Sequence, residues 1–251
     1  MALPPEVEAY ARELAARWAA VFDHGLLGVY VHGSAAMSGW TLPLSDVDVL
    51  AVLDGPATRA QKDRAAAAIA DPEFRAPGAG LEFSIVARSG LSKLNDRPPF
   101  ELHGATGGGL KIVDGEGHRG DPDLVLHYAV CRERGVAVAG PPPTEMFPVV
   151  PREMLLKGVA DELDWAVQHA PPRYQVLNAL RAWAYAEDGV LLSKFEAVAW
   201  ARERGNFASL AEAAWEAQAG GPEPGDEAAV RRCLHAAKAA KADAPAGGAT
   251  V

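Results

Sequence analysis

The apolar patterns of this chain are segregated. The runs with strand character, Leu26–His32, Asp46–Leu53 and Leu81–Ala87, all lie in the first half. From Arg152 onward only helical spacing is found, over 152–169, 174–188, 194–204, 207–219 and 226–241. Strands followed by a block of helices predict an α+β unit built on a mixed sheet and then a separate helical bundle. A length of 251 residues allows one large domain or two small ones. The expected division is 1–140 for the sheet unit, 141–242 for the helical unit and 243–251 for a loose tail, DAPAGGATV. A leading helix is expected where Val7, Tyr10, Leu14, Trp18 and Val21 recur behind Pro4-Pro5, with Gly25 as its stop. Two further helices are expected at Gln61–Ala70 and Leu124–Arg134, and Ala139-Gly-Pro-Pro-Pro143 reads as a break. Residues 89–120, rich in Gly and Pro, resist assignment.

Composition narrows the function classes. With 49% hydrophobic and 23% charged residues, the chain buries enough apolar surface to fold and is not a disordered tract. No apolar run approaches the length of a membrane span. The start, MALPPEVEAY, lacks the basic and apolar segments of a secretory signal, so a cytoplasmic protein is expected. Cys131 and Cys233 are too few for a disulfide framework or a four-thiolate zinc site and read as reduced thiols. The net charge of −9 is spread over both halves without a basic block, which argues against long nucleic acid as a partner. A cationic small molecule suits this balance better. A monomer or a homodimer is expected.

The chemistry-bearing residues are Gly33-Ser34, Asp46-Val-Asp48 and Glu82. On a strand, residues two apart share a face, so Asp46 and Asp48 present two carboxylates side by side. Their repulsion is relieved by a hard divalent cation, and an oxygen-only donor set suits Mg²⁺ together with substrate phosphates. Gly33 permits close backbone approach, and free N–H groups at a following helix start suit a phosphate. A D-x-D pair alone also occurs as a solvated strand end. The combination strand, Gly-Ser, loop, Ser-Asp-Val-Asp, strand is far more specific.

HGSAAMSGW followed by TLPLSDVDVLAV resembles the G-S…D-x-D signature of the polymerase-β-like nucleotidyltransferases. The wider pattern resembles the aminoglycoside (3″)(9)-adenylyltransferases, the streptomycin and spectinomycin resistance enzymes. DPDLVLHYAVCRERGVAVAGPPPTEMFPVVP is similar to that family's connection between domains, and YQVLNALRAWAYAEDGVLLSKFEAVAWARE to its helical core. LEFSIV sits where the third acidic residue is expected, and the resemblance spans about residues 25–205. It implies that Asp46 and Asp48 hold Mg²⁺ bound to ATP and that Glu82 is the general base, a third metal ligand being the alternative. It implies that Ser34 and Ser45, beside Gly33, contact the phosphates, and that Arg181 and Lys194 reach the nucleotide from the helical domain. The implied product is an adenylylated hydroxyl plus pyrophosphate. Adenylylation of another small molecule or of a protein hydroxyl belongs to the same class. A nucleotide-binding regulator without transfer activity is a different class, and the presence of all three acids argues against it.

Lys194 carries a physical argument of its own. Ser193-Lys-Phe-Glu196 is a capping box, which puts Lys194 at the first helical position, where a cation opposes the helix dipole. A phosphate at that helix end relieves the conflict; the plain alternative is a solvated lysine. Arg181 lies on a polar stripe with Asn178, Tyr185 and Asp188 that by itself reads as a solvated face, whereas Trp183 and Trp200 read as core. The acceptor half of the site departs from the family. Where the family has Gly-Glu-Trp after its F-E-L segment, Phe100-Glu-Leu-His103 runs into GATGGG. Where it has carboxylates before its Y-x-V-L helix, this chain has Pro171-Pro172-Arg173. Candidate acceptor contacts are therefore Glu101, Asp161, Asp164 and Trp165, with Glu162 nearby. His32 reads as a buried strand-end residue, and His32, His103, His118 and His127 show no ligand spacing.

Overall fold

The computed structural model describes residues 2–243, which form two compact units, the first running to Val150 and the second beginning at Pro151. The first contains α1 (Pro5–Phe22), β1 (Leu26–His32), α2 (Gly33–Ala36), β2 (Val47–Leu53), α3 (Arg59–Ile69), β3 (Leu81–Ala87), α4 (Arg88–Ser92), β4 (Leu102–Ala105), β5 (Lys111–Asp114), α5 (Asp123–Arg134), β6 (Val136–Ala139) and α6 (Pro143–Met146). Its six strands form one sheet in the order β5-β4-β3-β2-β1-β6. Only β2 and β3 run parallel; every other neighbouring pair is antiparallel, so the sheet is mixed as expected. The parallel pair needs a crossover, and α3 supplies it. That helix begins at a capping box between Thr58 and Gln61.

Alternation along the strands decides which face each residue meets. Val29, Val31, Val47, Val49, Leu81, Phe83 and Ile85 join the core that also holds Leu14 and Trp18 of α1 and Ala65 and Ile69 of α3. His32, Asp48 and Glu82 therefore point to the opposite face. There Tyr30 and Tyr128 of α5 pack against Phe147, with ring centroids 4.8 and 6.0 Å away. Tyr30 also donates its hydroxyl to the carbonyl of Pro141 at 3.0 Å. These contacts explain why the first unit extends to Val150 rather than ending at 140: burying a phenylalanine stabilises by about 1.5–3 kcal/mol, and Phe147 spends that on the sheet unit. β4, β5 and β6 are each four residues long and were not evident in the sequence, because so short a strand is defined by its partner more than by its own periodicity.

The second unit contains α7 (Arg152–His169), α8 (Pro172–Asp188), α9 (Lys194–Arg204), α10 (Ala208–Gln218) and α11 (Glu227–Asp243). α8 is central and packs against each of the other four. It starts on Pro172, which suits the first turn, and stops at Gly189, whose φ of +71° is the left-handed cap that glycine adopts without steric cost. Trp183 and Trp200 lie in this core, edge to face at 5.7 Å, as expected. Cys131 and Cys233 are buried free thiols. No helix among the described residues is long and apolar enough to cross a membrane. Residues 244–251, the bulk of the expected tail, lie outside the described residues.

Candidate active site

Three acids meet on the sheet because of strand register. Asp46 sits one residue before β2 and shares a face with Asp48; Asp48 is the Cα partner of Glu82 across the parallel β2–β3 pair. Each carboxylate offers an oxygen within 4.8 Å of the others, and all three residues are half-buried. Backbone hydrogen bonds hold Asp46 from both sides: Val47 donates to Gly80 at 2.8 Å, and Ala79 donates to Ser45 at 2.9 Å. Three mutually repelling carboxylates with oxygen donors alone fit a hard divalent ion. Mg²⁺ is thus compatible with Asp46 and Asp48, with Glu82 in reach.

The Gly-Ser pair is built against these acids. Gly33 has a φ of +60°, and a Cβ there would lie 1.8 Å from Oδ2 of Asp48, so any other residue clashes with the carboxylate as well as straining the backbone. Ser34 follows, with its Oγ buried and without a hydrogen-bond partner. A buried hydroxyl left so costs free energy unless something binds it, which suits a phosphate oxygen. Ser45 differs: its Oγ accepts the Thr41 N–H at 3.0 Å and so shapes the turn entering Asp46. As a hydroxyl it keeps its own proton for donation.

Glu82 has a pKa raised above the usual carboxylate range. Burial is the main cause, with Asp46, Asp123 and Asp121 adding negative charge, while His127 acts in the opposite direction. His127, on α5, also places its ring 4.9 Å from that of His32, which is 5% exposed and is the β1 partner of Asp48. Burial, with His127 adding to it, holds the His32 pKa well below its usual value. The expectation of a buried strand-end histidine thus holds, but its pairing with His127 was invisible, since the two are far apart in sequence.

Glu101 is not brought to these acids. Its N–H bonds to Ile85, near the other end of β3 from Glu82. Its carboxylate accepts from the Ala57 N–H at 3.1 Å and lies 3.5 Å from Lys62 Nζ, which also binds Asp114 at 2.7 Å. Lys62 is 7% exposed, so this network pins the β4–β5 edge to α3.

In the second unit, Arg181 is not on a solvated face: its stripe neighbours Asn178 and Tyr185 are buried. Its Nε donates to the carbonyl of Leu192 at 2.9 Å and a terminal nitrogen to Oδ1 of Asn178 at 3.0 Å. Lys194 stands at the first position of α9 behind the Ser193–Glu196 capping box, with Nζ 4.6 Å from the Tyr174 ring centre. The Tyr174 hydroxyl donates to Glu162 at 2.7 Å, and Asn178 donates to the same carboxylate oxygen at 3.3 Å. Burial first, then Glu162, push the Tyr174 pKa up. Trp165 is 49% exposed, stacked on His169 and edge-on to Tyr174. Of the acids around it, Glu162 joins this group. Asp161 instead pairs with Lys157 at 2.7 Å, and Asp164 pairs with Lys238.

Comparison with known proteins accords with this geometry. Residues 145–240 match the family model described as aminoglycoside adenylyltransferase, C-terminal domain. Proteins named aminoglycoside (3″)(9) adenylyltransferase from Klebsiella pneumoniae and Escherichia coli are 30% identical over an alignment of 192 residues that covers 71% of this chain and 72% of theirs. The crystal structure of spectinomycin adenyltransferase AAD(9) from Enterococcus faecialis with ATP and spectinomycin superimposes with a TM-score of 0.70, covering 94% of this chain and 99% of that one at 15% identity. The last shows a shared fold; the sequence relation, which extends over about seven-tenths of both chains, shows that this protein belongs to the aminoglycoside (3″)(9) adenylyltransferase family.

Proposed function

We propose that this protein transfers AMP from ATP to a hydroxyl of an aminoglycoside-type antibiotic, releasing pyrophosphate. The observation that carries the reading is the gathering of Asp46, Asp48 and Glu82 within 4.8 Å beside Gly33-Ser34. Family membership supports both the reaction and the acceptor class, and the AAD(9) structure, with ATP and spectinomycin, supports the same pair of substrates.

Asp46 and Asp48 would hold Mg²⁺, which when bound supplies positive charge against the phosphates. The Gly33 backbone and the Ser34 hydroxyl receive phosphate oxygens, with Ser45 adding its proton. Glu82 takes the proton of the acceptor hydroxyl as that oxygen attacks the α-phosphorus and the bond to pyrophosphate breaks. Its raised pKa suits a group that must accept a proton. Since Glu82 offers an oxygen within 4.8 Å of both other acids, a third-ligand role is the second reading. Arg181 and Lys194 serve the ATP phosphates. Trp165 and Glu162 supply an aromatic face and a negative charge for a cationic acceptor, and Glu162 takes the part expected of Asp161 and Asp164.

Pyrophosphate release from ATP, followed with spectinomycin, streptomycin and other aminocyclitols, tests the reading. Acceptor-dependent release in Mg²⁺ is the expected result. Tight ATP binding without release for any acceptor would instead identify a regulator.

A further inference from the structure

The Ser84–His103 pair has no part in the reaction as derived so far, yet it sits beside the proposed base. Glu82 faces Ala105 across the antiparallel β3–β4 pair, and Ser84 faces His103. Leu81, Phe83, Ile85 and Leu102 enter the α1–α3 core, so Glu82, Ser84, His103 and Ala105 share the other face. His103 is thus the diagonal neighbour of Glu82, at about 7–8 Å between backbones, a separation that an aromatic side chain spans. Ala105, directly opposite Glu82, is too small to fill that space.

The ring of His103 is oriented. Ser84 is 3% exposed, and its Oγ is hydrogen-bonded to Nδ1 of His103 at 3.0 Å. Phe100 packs edge-on against the same ring at 6.3 Å. His103 itself remains half-buried, and the bond at Nδ1 leaves Nε2 for another partner. The direction of approach follows from the acids. Asp46 and Asp48 lie on the β2 side of Glu82, where the phosphates belong. An acceptor whose hydroxyl meets Glu82 extends away from that charge, over β4, where His103 is the first large polar side chain.

We propose that His103 contacts the acceptor, its Nε2 hydrogen-bonding a hydroxyl or ring oxygen of the antibiotic, with Ser84 as the positioning residue behind it. This rests on the adenylyltransferase reading above.

Steady-state pyrophosphate release from His103→Asn, His103→Gln and Ser84→Ala, with spectinomycin and ATP varied in turn and thermal melts alongside, tests the assignment. Asparagine places a polar atom near Nδ1 and keeps the Ser84 bond; glutamine reaches the Nε2 position. An acceptor contact therefore gives the larger rise in acceptor KM for His103→Asn, about ten-fold, and a smaller one for His103→Gln and Ser84→Ala, about three-fold. The KM for ATP stays within about two-fold in all three, since one lost hydrogen bond to the acceptor does not reach the nucleotide. A structural role gives the opposite order, with Asn milder than Gln, or leaves acceptor KM unchanged; either result overturns the assignment while the wild type still turns over. No release by the wild type with any acceptor overturns the adenylylation reading itself, and the His103 assignment with it.

Discussion

The two units place their polar residues by different means. In the sheet unit, the three acids are set by backbone register: Asp48 and Glu82 are strand partners, and Asp46 shares the Asp48 face. Their spacing is carried by main-chain hydrogen bonds and does not depend on the carboxylates. In the helical unit, Glu162, Tyr174, Asn178, Arg181 and Lys194 come from three helices and hold one another through side chains. A substitution in the first unit should therefore remove chemistry and spare the fold. One in the second should disturb its neighbours as well as any ligand.

The largest expected effect lies in the sheet unit. Glu82→Gln should lower kcat by about 10²–10⁴ with ATP and acceptor affinity retained; loss of divalent-ion affinity in calorimetry would favour the ligand role instead. The same variant reports on the raised pKa. The unfolded chain ionises Glu82 more readily than the fold does, so the contribution of Glu82 to stability is lost as pH rises above the usual carboxylate value. In chelator, Glu82→Gln should melt above the wild type at neutral pH, and the gain should vanish near pH 4, a value below the ordinary glutamate range of about 4.3. A pH-independent difference would contradict the burial account.

Next comes Gly33→Ala. The added methyl meets Asp48 at 1.8 Å in a left-handed backbone. Left-handed strain alone costs about 1 kcal/mol, and the displaced carboxylate should weaken divalent-ion binding by about ten-fold or more. Unchanged metal affinity by calorimetry would show that Asp48 is not held against this turn.

In the helical unit, Arg181→Ala and Lys194→Ala should each raise the KM for ATP by about 10- to 100-fold, the loss of one charge-assisted bond of roughly 1.5–3 kcal/mol. Arg181→Ala should also lower the melting temperature, because the Leu192 carbonyl and Asn178 lose their partner. Unchanged ATP affinity in both would end their assignment to the phosphates. The smallest effects belong to Asp161→Asn and Asp164→Asn. Surface ion pairs are worth about 0–1 kcal/mol, so acceptor KM should stay within about three-fold. A larger rise in KM would return these acids to the acceptor site.

Much of the sheet unit was legible before the structure. The bounds of β1 and β3 coincide with the apolar runs, and the Ser193–Glu196 capping box is present as written in the sequence. The acceptor side was less legible. Glu101 looked like a site acid but neutralises buried Lys62, and Glu162, not Asp161 or Asp164, joins the Trp165 and Tyr174 group. All four are carboxylates near plausible motifs, so residue type could not separate them; the identity of the nearest cation or hydroxyl did.

By itself the sequence determined the division into a sheet unit and a helical unit and the shared face of Asp46 and Asp48. These follow from local periodicity, whose range is a few residues. Only the tertiary structure decided that Glu82 pairs with Asp48, that His127 covers His32, that Ser84 orients His103, and that Phe147 belongs to the first unit. Each of these joins residues distant in the chain, and such pairing is selected by the burial and hydrogen bonding of the whole sheet, which no local pattern encodes.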